Sequence, residues 1–230
     1  MPLTFIAAVG GFDQTAGTTL DATASLNVAA GDLLIAWCKH EGAVGTFAVA
    51  KTTGGNDFTF DAGDAVSHSN NDLHGSFGYR LSADADATFT PRLTTPSRVF
   101  RILLCAQFRP GAGDTCTKDT SNDNFGTGTA LTSGNITTTG TDEVVMGGYG
   151  PYTSTTTSSE TINSVAATEP SPSPQDNGSF WYRILTSTFT GGNAAGTLGA
   201  SADWIGAVIA IKAAAGEAVS PLKMMGQACL

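Results

Sequence analysis

The chain contains nearly the same strand twice. GSFGYR occupies residues 75–80 and GSFWYR residues 178–183, so the copies differ only at Gly78 and Trp181. A repeat limits the possible folds more than any local propensity, because each copy needs a partner for the same buried face. The similarity extends well beyond six residues. GTTLDATASLNVAAGDLLIAW begins at Gly17 and GTALTSGNITTTGTDEVVMGG at Gly128. Both run from a Gly-Thr turn, through a short alternating strand, to an acidic turn and an apolar strand, matching Asp32 with Asp142. ATFT and STFT follow the two GSFxYR strands. Each half closes on a long apolar strand, in which Phe108-Arg109 corresponds to Ile211-Lys212. The order of features defines a first half at 1–110, a second half at 111–216 and a C-terminal tail at 217–230.

Strand alternation assigns faces within the repeat. Phe77 and Tyr79 share one face, as do Phe180 and Tyr182, and these are the expected core positions. Gly78 and Trp181 point the other way, toward the nominally wet face. In WIGAVIAI both parities are apolar or small, and DLLIAWC behaves likewise. A strand with one wet face alternates apolar and polar residues, so these strands are expected to be covered on both sides. Thr- and Gly-rich sequence with no sustained helical stripe predicts an all-β, antiparallel, jelly-roll-like β-sandwich with few or no helices. The join around RPGAGDTCTKDTSNDNFGTG reads as a linker and allows two tandem domains. Yet each half holds only about five strand candidates, against about seven for a sandwich. One intertwined sandwich built from both halves is therefore preferred. The long loops AVAKTTGGNDFTFDAGDAVSHSNND and PYTSTTTSSETINSVAATEPSPSPQDNG sit at matching places and are expected to project from the same end.

The net charge of −9 and eleven scattered basic residues argue against nucleic acid as a partner, which would need clustered cations. No apolar run reaches membrane-spanning length, and the amino end lacks a signal-peptide pattern. Four cysteines without CxxC spacing are expected to be reduced, although a Cys38–Cys105 bridge stays open.

Signs of catalytic chemistry are sparse. His40, His68 and His74 read as solvated loop histidines, with no HExxH pattern. Asp57, Asp61 and Asp64, and the Asp84–Asp86 pair, have calcium-compatible chemistry but fit Asx turns at strand ends better. There is no GxSxG elbow, P-loop, dinucleotide fingerprint or assignable glycosidase pair. No catalytic, metal or cofactor residues are assigned, and the expectation is a non-enzyme. Trp37 and Trp204 lie in apolar strands and read as core. Trp181 either fills a gap within its half or reaches a neighbouring subunit. Tyr149 and Tyr152, in GGYGPYTS, are the candidate exposed aromatics for stacking on a sugar.

GDLLIAW, then a Gly-rich segment, then FGYRLSADADATFT and a closing strand ending in FRPGAG, resembles the β-sandwich repeats of tailed-bacteriophage virion proteins. The resemblance implies a non-enzymatic capsid-decoration, tail or fibre protein, located in the virion after assembly in the host cytoplasm. It also implies that the partners are other copies of the chain, as a homo-oligomer, and other virion proteins. A carbohydrate-binding module contacting host-surface glycan is the alternative. The tail carries Leu222, Met224, Met225 and Leu230, expected to pack against a neighbouring subunit.

Overall fold

The computed structural model describes residues 3–55, 57–61, 65–68, 72–170 and 177–215. The described chain is all-β and antiparallel, without helices. The first half forms β1 (Thr4–Asp13), β2 (Gly17–Asp21), β3 (Leu26–Val28), β4 (Leu33–Glu41), β5 (Ala48–Lys51), β6 (Ala65–His68), β7 (Leu73–Arg80), β8 (Asp86–Phe89) and β9 (Pro91–Arg109). The second forms β10 (Asp114–Thr132), β11 (Glu143–Pro151), β12 (Thr157–Ile162), β13 (Val165–Ala166), β14 (Ser179–Leu185) and β15 (Ala194–Ala215).

Each half supplies one whole sheet. The first is ordered β1-β9-β4-β7-β6, with β2 and β5 on the early part of β9. The second is ordered β13-β12-β15-β11-β14, with β10 also on β15. The spine β1-β9-β4-β7 thus repeats as β10-β15-β11-β14. The register repeats too. Ile35 lies opposite Tyr79 and Ala106, as Met146 lies opposite Tyr182 and Ile209. Leu33 faces Phe108 and Val144 faces Ile211, so Asp32 corresponds to Glu143. The match of Asp32 with Asp142 was one residue out, because an acidic pair in a turn gives sequence comparison no register.

Even a defect is duplicated. A β-bulge falls between Phe5 and Ala7 in β1, and another between Lys118 and Thr120 in β10. The register equivalence places both at one position, making Ile6 the counterpart of Asp119. Bulges re-aim a side chain out of the ladder, and here both act beside the basic residue near the end of the closing strand, Arg109 in β9 and Lys212 in β15.

The sheets pack face to face over one core. Leu33, Ile35, Trp37, Phe77 and Leu104 meet Val144, Met146, Phe180, Ile205 and Ile209 there. Phe5 of the first half stacks on Tyr182 of the second, ring centroids 4.9 Å apart. The outer faces are also dry, and the chain itself covers them. Leu34, Ala36, Cys38 and Cys105 are buried with Leu26, Val49, Phe58 and Phe89. Val145, Trp181, Val208 and Ala210 are buried with Leu131, Ile136, Ile162 and Leu198. Strands apolar on both faces therefore do not need a second subunit to cover them. The long loops supply part of the cover, since β5 pairs onto β9 and β12 onto β15.

The Gly78/Trp181 exchange is resolved by cross-strand volume. Gly78 faces Ala36, and a Cβ on it would lie 2.7 Å from Phe60 Cε1. Trp181 faces Gly147, where a Cβ would lie 2.7 Å from the indole Nε1. One half fills the space with Phe60 from a loop; the other fills it with the strand's own tryptophan.

Candidate functional site

Trp181 and Tyr149 are both buried inside the second half. Trp181 therefore packs within its own chain. Tyr149 lies in β11, and a two-tyrosine stacking platform does not form, because strand alternation turns the Tyr149 ring into the outer-face core. Tyr152 is exposed. Leu222, Met224, Met225 and Leu230 lie outside the described residues.

The histidines also differ from expectation. His40, His68 and His74 are buried on β4, β6 and β7, not solvated in loops. His40 and His74 face each other across the ladder, ring centroids 5.2 Å apart. Burial pushes His40 down to about 3, helped by the nearby His74, Arg98 and Lys39, so it is neutral at physiological pH. Cys38, Cys105 and Cys116 are free and buried. Asp64 lies outside the described residues, and three of the other acidic candidates, Asp61, Asp84 and Asp86, have local uses. Asp61 accepts from Tyr79 Oη at 2.7 Å and pairs with Lys118 at 2.9 Å. Asp86 pairs with Lys51 at 2.6 Å and accepts from the Thr88 amide, as an Asx turn requires.

Sequence reading missed two polar sites, both beside the duplicated bulge. In the first half, Asp32 is buried and accepts from Arg109 Nε and Nη2 at 2.8 and 2.9 Å, from Gln107 Nε2 and from the Ala29 amide. Burial alone would raise its pKa; these donors outweigh it and hold the carboxyl below the usual range. The fork geometry of the guanidinium matches both carboxylate oxygens. The pair borders an open groove of about 520 Å³, lined by Thr4, Ile6, Ala29, Ala30 and the 110–114 crossover.

In the second half, Asp119, Glu143 and Lys212 occupy the corresponding positions. Lys212 Nζ lies 2.9 Å from Asp119 Oδ1 and 2.8 Å from Thr139 Oγ1. Thr139 also donates its amide to Asp119 Oδ2 at 2.6 Å. Glu143 is fully buried beneath the turn at Gly140, where a Cβ would lie 3.4 Å from its Oε2. Burial pushes Glu143 up to about 8, reinforced by its hydrogen bond to Asp119 and that group's charge. Asp119 is held at about 2 by Thr139, Lys212 and Glu143 against the cost of burial. At neutral pH the site holds a carboxylic acid beside a carboxylate and an ammonium.

This arrangement has a pH signature. Glu143 is raised from 4.5 to about 8, so its contribution to stability is complete below 4.5 and is lost as pH rises through 8. Asp119 is lowered from 3.8, so its contribution is present above 3.8 and is lost as pH falls toward 2. Chemical denaturation between pH 5 and 9 is expected to show a fall of roughly 2–4 kcal/mol, with residual solvent screening keeping it below the full conversion. Glu143→Gln is expected to flatten the profile, and an unchanged slope would refute this assignment.

Comparison with protein-family models, with curated proteins and with solved structures finds no match to the chain.

Proposed function

We propose that the chain is a non-enzymatic structural protein of a tailed-phage virion, an outer capsid-decoration or tail component acting through subunit contacts. The observation that carries this reading is where the exposed apolar side chains lie. Ile6 is 39% exposed, Phe125 54% and Val165 45%. They sit on β1, β10 and β13, each a terminal strand of its sheet. Val44 and Tyr152 are exposed in loops; the other large apolar side chains exposed among the described residues lie on these edges, the surface proposed for association. Edge strands pair readily with other chains, and apolar side chains enrich the centre of such contacts. The burial of Tyr149 removes half of the aromatic pair on which the glycan-binding alternative rested.

Electron microscopy of native particles tests the reading directly, with the chain expected in symmetric copies. Light scattering after size exclusion is expected to show self-association, and Phe125→Lys to weaken it at least tenfold. A monomer at high concentration, absent from particles, would sink the proposal.

A further inference from the structure

The second-half site brings together an amine, a carboxyl and a second carboxyl from three adjacent strands, β15, β10 and β11. Lys212 Nζ is within hydrogen-bond distance of Asp119 Oδ1, at 2.9 Å. The Asp119 side chain is only 4% exposed, and two bonds from Thr139 fix its orientation. Its position follows from the bulge, which takes residue 119 out of the ladder toward Glu143 and Lys212. We propose that this triad is an autocatalytic cross-linking site, in which Lys212 Nζ condenses with Asp119 Cγ to form an isopeptide bond and Glu143 relays the proton.

The step balances without an external reagent. The ammonium passes one proton to the Asp119 carboxylate, giving a neutral amine and a carboxylic acid. The Glu143 carboxyl gives its proton to the Asp119 carbonyl oxygen as the Nζ lone pair attacks Cγ, forming the N–C bond and a gem-diol and leaving Glu143 as a carboxylate. That carboxylate takes a second proton from nitrogen and delivers it to one hydroxyl, the Cγ–O bond breaks and water leaves. The proton of the remaining hydroxyl returns to Glu143 as the amide carbonyl forms, restoring its starting state. Amide formation from a free acid and amine in water is unfavourable. Strands that hold both groups in one folded chain remove the entropic cost of bringing them together, and effective molarities on the order of 10⁵ M or more speed the step. Burial of Glu143 also keeps it in the acid form the relay requires.

The molecule contains its own control. The corresponding first-half positions are Ile6, Asp32 and Arg109, with no carboxyl at the bulge and a guanidinium in place of the amine. Arginine stays protonated and is no nucleophile, so that half forms a salt bridge and nothing more. Other charged groups around the second site are engaged elsewhere. Arg183 of β14 donates to the Ile162 carbonyl, and Asp142 accepts the Leu3 amide.

Intact-mass spectrometry of the purified full-length chain tests the proposal. The mass is expected to be one water below that of the sequence. A tryptic digest should contain a branched peptide joining Lys212 to Asp119. Lys212→Arg, Asp119→Ala and Glu143→Gln should each restore the full mass. Lys212→Arg keeps the charge, and its circular dichroism shows whether the fold survives. Burial is the largest cause of the Glu143 shift and survives the cross-link, so the pH profile is expected to persist in the wild type, reduced by loss of the Asp119 charge, and in full in Lys212→Arg. Full sequence mass in the wild type after prolonged incubation would overturn the proposal, as would loss of water without the branched peptide. Bond formation in Glu143→Gln at the wild-type rate would overturn the relay.

Discussion

Trp37→Ala is expected to cost about 3–5 kcal/mol, as for large aromatic truncations in a packed core. Trp37 and Gly148 occupy corresponding positions in the two halves, yet they touch. A Cβ on Gly148 would lie 2.6 Å from Trp37 Cε3 and 2.8 Å from Phe77 Cζ. Contact between corresponding positions means that they share one space between the sheets, where two large side chains do not fit and two small ones leave a void. The indole is further fixed by donating from Nε1 to the Tyr149 carbonyl at 3.0 Å. Gly148→Trp alone is expected to cost about 3 kcal/mol or more, because overpacking beside a fixed ring forces backbone shifts. The reciprocal swap, Trp37→Gly with Gly148→Trp, is expected to recover at least half of the summed loss. Guanidinium denaturation of the four species forms a double-mutant cycle. Strictly additive losses would show that the positions do not share one space.

Glu41→Ala is expected to cost roughly 3–5 kcal/mol, since it strands a buried ammonium. Lys39 Nζ lies 2.6 Å from Glu41 Oε1, with the lysine side chain fully buried and the glutamate 8% exposed. The lysine stem packs against Gly150 of the opposite sheet, where a Cβ would lie 2.9 Å from its Cγ. Burial pushes Lys39 below and Glu41 above its ordinary range, while each charge holds its partner back. The ammonium also faces the Phe100 ring, 5.9 Å from its centroid. Replacing both residues, as Lys39→Met with Glu41→Leu, is expected to be near neutral or stabilising, because two desolvation costs disappear together. Thermal melts of the single and double variants decide this. A double variant as unstable as Glu41→Ala would mean that the pair is a net source of stability.

The repeat was legible because duplication preserves pattern. Phe77, Tyr79 and Phe180 lie in the inter-sheet core as alternation required, with Tyr182 packed against it. The apolar parity of β4 and β15 correctly required two covered faces. What covers them was not legible, because Phe60, packed on the outer face of β4, and Ile136, packed on that of β15, come from distant turn-like sequence. The buried histidines are hidden from the sequence for a related reason. HE at the end of β4 reads as a strand exit, and only the cover from Phe47, 4.8 Å from the His40 ring centroid, makes that end an interior.

The Asp119–Glu143–Lys212 site shows the same boundary. Its members are scattered along the chain and match no motif, and the acidic residue matched to Asp32 was one position away from the right one. A one-residue slip turns a strand's side chains to the opposite face, and a bulge introduces such a slip locally. Period and composition alone set the strand content, the duplication and the face of each core aromatic. The tertiary structure decided which half covers which face, which tryptophan occupies the shared space and which three charges meet. Those outcomes depend on register, bulge position and long-range packing, none of which local sequence encodes.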